Sequence, residues 1–198
     1  MIPVFPMPAL SDGRRPHVTS SYGPRTGGMY EFHYGVDILY PRAGEPPGLP
    51  MTAASGKWAV PERVPAVAYA DGVVTKSSWT GTGDRVRIDH GGGLETGYMH
   101  LRDRKVRVGE KVRAGQILGR VSYNPWKRGA PAAEPPPAPP RQVGLNHLHF
   151  EVYKNGKQVD PEPYLKNAII QPVPSSTGWL LAGGLAIAAG LFASRYVR

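Results

Sequence analysis

Cysteine is absent from the 198 residues, which excludes a disulfide framework, a thiolate zinc site and a cysteine nucleophile. Any metal must therefore rest on histidine and carboxylate. Acidic side chains are scarce, 15 against 24 Lys and Arg, leaving a net charge of +9. That balance suits an anionic partner, whether nucleic acid, anionic lipid or a wall polymer. Neither a recognition helix nor an aromatic run interleaved with basic residues is present, so no nucleic-acid partner is expected. A basic start ahead of an apolar run is also missing from residues 1–10, so they do not read as a secretory signal peptide. Long helical periods are lacking between 17 and 164. What is abundant is Gly (25) and Pro (22), with 40% hydrophobic residues. That apolar content can bury a core, and the Gly and Pro argue for short strands and many turns.

The strands are expected at Val67–Lys76, Arg85–His90, Leu94–His100, Lys105–Val108, Gln116–Ser122 and His147–Lys154, rich in β-branched or aromatic residues and mostly separated by Gly turns. Residues 1–16 read as an extended N-terminal arm and 17–165 as the domain. Two stretches interrupt it: the Pro-rich 41–66, expected as a long surface loop, and 123–143, which contains a polyproline run. Residues 166–177 read as a linker. Residues 178–198 form a hydrophobic C-terminal segment, uncharged from Gly178 to Ser194 and closed by Arg195 and Arg198. Seventeen apolar residues stand at the short limit of a membrane-spanning helix, and Trp179 and Tyr196 at the ends suit its interfaces. One C-terminal apolar helix is thus expected beside a mainly β domain.

Chemistry concentrates in three short histidine motifs: Phe32-His33-Tyr34-Gly35-Val36-Asp37, Tyr98-Met99-His100-Leu101 and Asn146-His147-Leu148-His149-Phe150-Glu151. On a strand His147 and His149 project together, while Leu148 and Phe150 point to the core. Two imidazoles on one face form half a zinc site. His33 and Asp37 would lie roughly 13 Å apart on a flat strand, too far for shared bonds of about 2 Å. A bend is needed, and Gly35 can supply it. Two imidazoles and a carboxylate are a usual ligand set for catalytic zinc, with the fourth position open.

Together with Ser21-Tyr-Gly-Pro-Arg25, Gly83–His90 and Val108–Gly119, these motifs resemble the M23 peptidases, the lysostaphin- or LytM-type zinc endopeptidases that cut peptidoglycan cross-links. The resemblance spans about residues 17–165 and implies a mainly β fold, an antiparallel β-sheet groove with a barrel-sandwich character. It implies His33, Asp37 and His149 as zinc ligands, and His100 and His147 as the two unligated histidines that exchange protons with the reacting water and the leaving group. His90 and His17 match no such role and read as structural. Glu151, on the face of His149, reads as a support of the site, and Tyr22 and Tyr30 as groove-lining. The insertions at 41–66 and 123–143 depart from the family pattern and should border the groove. A hairpin like that of lipoyl and biotin carriers is suggested by Val108–Gln116, but it leaves the histidines unexplained.

The resemblance implies peptidoglycan stems and cross-bridges as partners. Basic residues beyond the apolar segment, and no leader to carry the domain across a bacterial membrane, point to a virion-associated lysin used in phage entry. Residues 178–198 would then meet a membrane or a hydrophobic virion component, with the catalytic domain facing the wall. The alternatives are a non-catalytic peptidoglycan-binding activator or structural virion protein, and a bacterial envelope hydrolase in wall remodelling.

Overall fold

The computed structural model describes residues 2–26, 31–45, 57–61, 63–80, 83–122 and 146–173. Short strands dominate, as the turn-rich composition requires. They are β1 (His17–Ser20), β2 (Gly23–Pro24), β3 (Phe32–His33), β4 (Val36–Pro41), β5 (Trp58–Ala59), β6 (Pro65–Val67) and β7 (Gly72–Thr80). There follow β8 (Gly83–Asp89), β9 (Leu94–Arg102), β10 (Lys111–Val112), β11 (Ile117–Val121), β12 (Leu148–Lys154) and β13 (Lys157–Val159). A single turn of helix, α1 (Glu162–Leu165), follows them. The main sheet runs β1-β4-β12-β9-β8-β7-β10, with β11 joining β9 to β6, β13 on β12 and β5 on β4. Its ladders are antiparallel.

Period-two patterning explains how the sheet builds its core. In β12, Leu148, Phe150 and Val152 are fully buried. They pack in one cluster with Val36 and Ile38 of β4, Tyr98 of β9, Val86 and Ile88 of β8, and Leu118 of β11. The intervening residues, His149 and Glu151, take the opposite face. Register does the rest: His149 stands directly across from Asp37 on β4 and from Met99 on β9. Hydrophobic alternation thus places a histidine and a carboxylate side by side on one face.

Several sequence expectations change. The expected strand Val67–Lys76 is two strands, because β6 pairs with β11 while β7 pairs with β8, and the chain turns between them. Lys105–Val108 is not a strand. Its groups are bonded irregularly, with the Lys105 N–H donating to the Leu118 carbonyl and the Ser77 hydroxyl to the Val106 carbonyl. Within 41–66, the described residues include β5 and the start of β6, and bury Trp58, Val60 and Val64; that part is core, not surface loop. The N-terminal segment is extended and is also packed: Val4, Phe5 and Met7 are buried. Val4 and Ala9 form parallel bridges with Ile169 and Pro172, inside the stretch read as a linker. Residues 123–143, Tyr30 and the apolar segment 178–198 lie outside the described residues. Among the described residues no helix is long and apolar enough to cross a membrane.

Candidate metal centre

His33, Asp37 and His149 converge, with one ligand atom from each lying within 4.8 Å of the others. The bend expected at Gly35 lies between β3 and β4 and brings His33 Nε2 to 3.1 Å from Asp37 Oδ1. The glycine is demanded by close approach. A Cβ on Gly35 would fall 2.6 Å from the Phe150 carbonyl oxygen and 2.7 Å from His149 Nε2. His149 Nδ1 sits 3.0 Å from Asp37 Oδ1 and 3.0 Å from His33 Nε2.

The proton positions test whether these residues fit a cation. His33 Nδ1 lies 2.8 Å from the Ser21 carbonyl oxygen, which only accepts, so Nδ1 carries the proton and Nε2 a lone pair. That lone pair, a carboxylate oxygen and His149 Nδ1 form a triangle with sides near 3 Å. Three electron-rich atoms so placed repel one another unless a positive charge lies among them. Tetrahedral ligands with bonds of about 2 Å stand on the order of 3.3 Å apart. The set fits zinc, and its two imidazoles and carboxylate suit that ion.

Without metal, a proton serves instead. Burial works to lower the His149 pKa, but its contacts with Asp37 and Glu151 and their charges outweigh burial and push it up to about 9. Burial likewise works to raise the Asp37 pKa. The hydrogen bond from His149 and the charges of His147 and His149 outweigh it, holding the carboxyl well below the usual carboxylate range.

His147 and His100 flank the triangle. His147 Nε2 is 3.6 Å from Asp37 Oδ1, and its ring centroid is 4.6 Å from that of His100, which lies 6.0 Å from that of His149. Strict alternation from the buried Tyr98 would bury His100; instead Leu101 is buried and His100 is half-buried. A β-bulge explains the shift. Asp84 pairs with Leu101 and Val86 with Tyr98, so Arg85 faces both Met99 and His100. His100 has φ 60°, a left-handed conformation costing a non-glycine residue on the order of 1–2 kcal/mol. That strain sits beside the candidate metal centre, where it re-aims the imidazole.

Other residues hold the ligands. Arg25 Nη2 reaches Asp37 Oδ2 at 3.1 Å and Ser20 Oγ at 2.7 Å, leaving Oδ1 for the triangle. In the sequence Arg25 only closes the Ser21–Arg25 segment, and its spacing does not link it to Asp37. His90 stands apart: it bonds the Asp71 carbonyl and Thr96 Oγ1. His17 packs edge-on against Trp58. Tyr22 packs against Phe32 and donates its hydroxyl to the Gln158 carbonyl.

The family description "Peptidase family M23" matches residues 53–161, a span that holds His100, His147 and His149 and stops short of His33 and Asp37. Lysostaphin of Staphylococcus simulans is 29% identical over 176 residues, covering 80% of this chain and 28% of that protein. The crystal structure of its catalytic domain shares the fold at TM-score 0.51 and 23% identity, covering 78% of this chain and 94% of that one. A peptidoglycan DD-endopeptidase of Vibrio cholerae, ShyC, is 30% identical over 149 residues, 73% of this chain and 26% of that protein. A zinc-containing peptidase from Vibrio cholerae also shares the fold, at TM-score 0.51 and 22% identity over 79% of this chain and 39% of that one. The chain therefore spans about a quarter of the length of these curated relatives. With more than half of its residues inside the matched span and a His-Asp-His triangle fit for zinc, the chain belongs to peptidase family M23, a family of zinc metallopeptidases.

Proposed function

We propose that the chain is a zinc-dependent endopeptidase that hydrolyses peptide cross-links of peptidoglycan. The observation that carries the reading is the convergence of His33, Asp37 and His149 with two further histidines beside them. In this reading His33, Asp37 and His149 hold zinc, which supplies a Lewis acid for the scissile carbonyl and lowers the pKa of water towards 7. Arg25 fixes the Asp37 carboxylate by its outer oxygen, and the Ser21 carbonyl fixes the His33 tautomer. His100 and His147, with ring centroids 4.6 Å apart, divide the proton work. One accepts the proton of the attacking water; the other hydrogen-bonds the developing oxyanion and gives its one proton to the leaving amine. Imidazole suits both tasks because its ordinary pKa lies near neutrality.

The finer reading places the enzyme in a virion, as a lysin used in phage entry. It rests on the apolar run from Gly178 to Ser194 followed by Arg195 and Arg198, a pattern suited to a membrane or a hydrophobic virion component. Its presence in purified particles supports that placement; its absence from them overturns it.

The enzymatic reading is tested on the full chain by elemental analysis for zinc and by release of new amine termini from glycine-bridged and directly cross-linked peptidoglycan. Wild type should hold about one zinc and release amines from at least one wall type. His149→Ala should lose both metal and activity. His100→Ala should keep its metal and lose about 10²- to 10⁴-fold in rate, the usual worth of a general acid or base. A wild type that binds zinc and wall yet releases nothing would turn the reading to a binding or activating role.

A further inference from the structure

The two histidines of the triangle are held differently. His33 has its tautomer set by a backbone carbonyl, that of Ser21. His149 faces a carboxylate: its Nε2 lies 3.7 Å from Glu151 Oε1, an ion-pair separation longer than a hydrogen bond. Glu151 is 4% exposed, and a carboxylate at that depth is costly unless each oxygen is satisfied. Three donors bond it and the His149 ring faces it. Arg85 Nη2 at 2.7 Å and the Tyr153 hydroxyl at 2.9 Å donate to Oε2. Gln158 Nε2 donates to Oε1 at 2.9 Å, and His149 Nε2 faces the same oxygen. The Arg85 side chain also reaches the Tyr153 hydroxyl at 2.8 Å, and the Arg87 guanidinium lies 3.4 Å above the Tyr153 ring. Gln158 Nε2 is also 3.3 Å from the Tyr34 carbonyl, in the turn that follows His33.

We propose that Glu151, clamped by Arg85, Tyr153 and Gln158, is the positioning residue of the metal centre: it holds the Nε2 proton of His149 so that Nδ1 presents its lone pair to zinc. Gln158 ties the same carboxylate to the turn that follows His33. The proposal rests on the zinc-centre reading above. An acceptor behind a ligating imidazole fixes its tautomer and orientation and strengthens it as a ligand, and loss of such a group costs about 10- to 100-fold in metal affinity. Geometry explains why the residue must be a carboxylate. All four surrounding groups present hydrogens, so the isosteric amide of glutamine would turn an NH₂ against one pair of them.

The test is the zinc dissociation constant of the full chain, measured by competition with a chromophoric chelator. Thermal melting of the metal-free protein is measured in parallel. Glu151→Gln should weaken zinc by about 10- to 100-fold, with cooperative melting retained. Gln158→Ala, at the rim, should fold and weaken zinc by a smaller factor; it carries the test if Glu151→Gln does not fold. A purely structural role would lower the melting temperature of the metal-free variants and leave zinc affinity at the wild-type value. That result overturns the proposal while the zinc centre stands. A wild type that takes up no zinc overturns the zinc-centre reading itself, and the positioning role with it.

Discussion

At the proposed zinc centre a proton and a metal ion compete for one place at His149. Its pKa in the metal-free fold, about 9, stands above the ordinary 6.5, so the folded chain binds that proton more tightly than the unfolded chain does. The resulting stabilisation is fully present below about pH 6.5 and is lost as pH rises through about 9. Asp37 is the other half of the same pair and acts in the opposite sense. Its depressed pKa gives stability present above the ordinary carboxylate value and lost as pH falls through the depressed one. The metal-free protein should therefore melt at progressively lower temperature between pH 6.5 and 9. Zinc uptake should tighten over the same interval, because the ion displaces the proton. Melting curves in chelator across that range give the check; a flat profile would show that His149 and Asp37 do not share a proton.

Between residue and element lies the bulge in β9. It places two residues, Met99 and His100, opposite Arg85, and His100 takes up the left-handed backbone that the extra residue creates. Gly83, across the ladder, makes room: a Cβ there would sit 3.3 Å from His100 Cα and 3.1 Å from the Leu101 carbonyl oxygen, at a φ of +124° that L side chains rarely adopt. Gly83→Ala should press on that backbone and shift the His100 ring. The expected signature is a rate lowered about tenfold or more with zinc content unchanged, since small misplacements of a catalytic group cost heavily. Equal losses of zinc and rate would locate the damage at the triangle instead. Strand β12 shows the complementary rule, with Leu148, Phe150 and Val152 anchoring one face so that His149 and Glu151 are held on the other.

For the whole molecule, the two ends of the described chain matter more than their composition suggests. Met7 is fully buried, with Val4 and Phe5 nearly so. The Val4 N–H donates to the Tyr69 carbonyl, the Val67 N–H to that of Pro6 and the Val173 N–H to that of Ala9. Residues 2–10 and 169–173 therefore belong to the core and its edge. Met7→Ala should cost about 2–5 kcal/mol, measured by denaturant unfolding of the metal-free protein. A loss under about 0.5 kcal/mol, the scale of a surface substitution, would show the segment to be a detachable arm. A shortened chain for biochemical work should accordingly retain residues up to 173.

Sequence alone determined the parts that depend on local spacing. The alternation in Leu148-His149-Phe150-Glu151 set one face for the core and one for chemistry. The Gly35 bend was required by the reach between His33 and Asp37. The absence of cysteine confined any metal to histidine and carboxylate. The strand expectations failed at 67–76, where the chain changes partner between two strands, and at 105–108, whose backbone is bonded irregularly. Tertiary structure alone decided what long-range pairing creates. Arg25 on Asp37, the Ser21 carbonyl behind His33, and Arg85 and Gln158 around Glu151 are brought together by the tertiary fold. The strained His100 arises from a bulge between β8 and β9. The physical reason is common to these cases. Periodicity reports which face a side chain takes, but the atom it touches there is chosen by the register of strands distant in sequence.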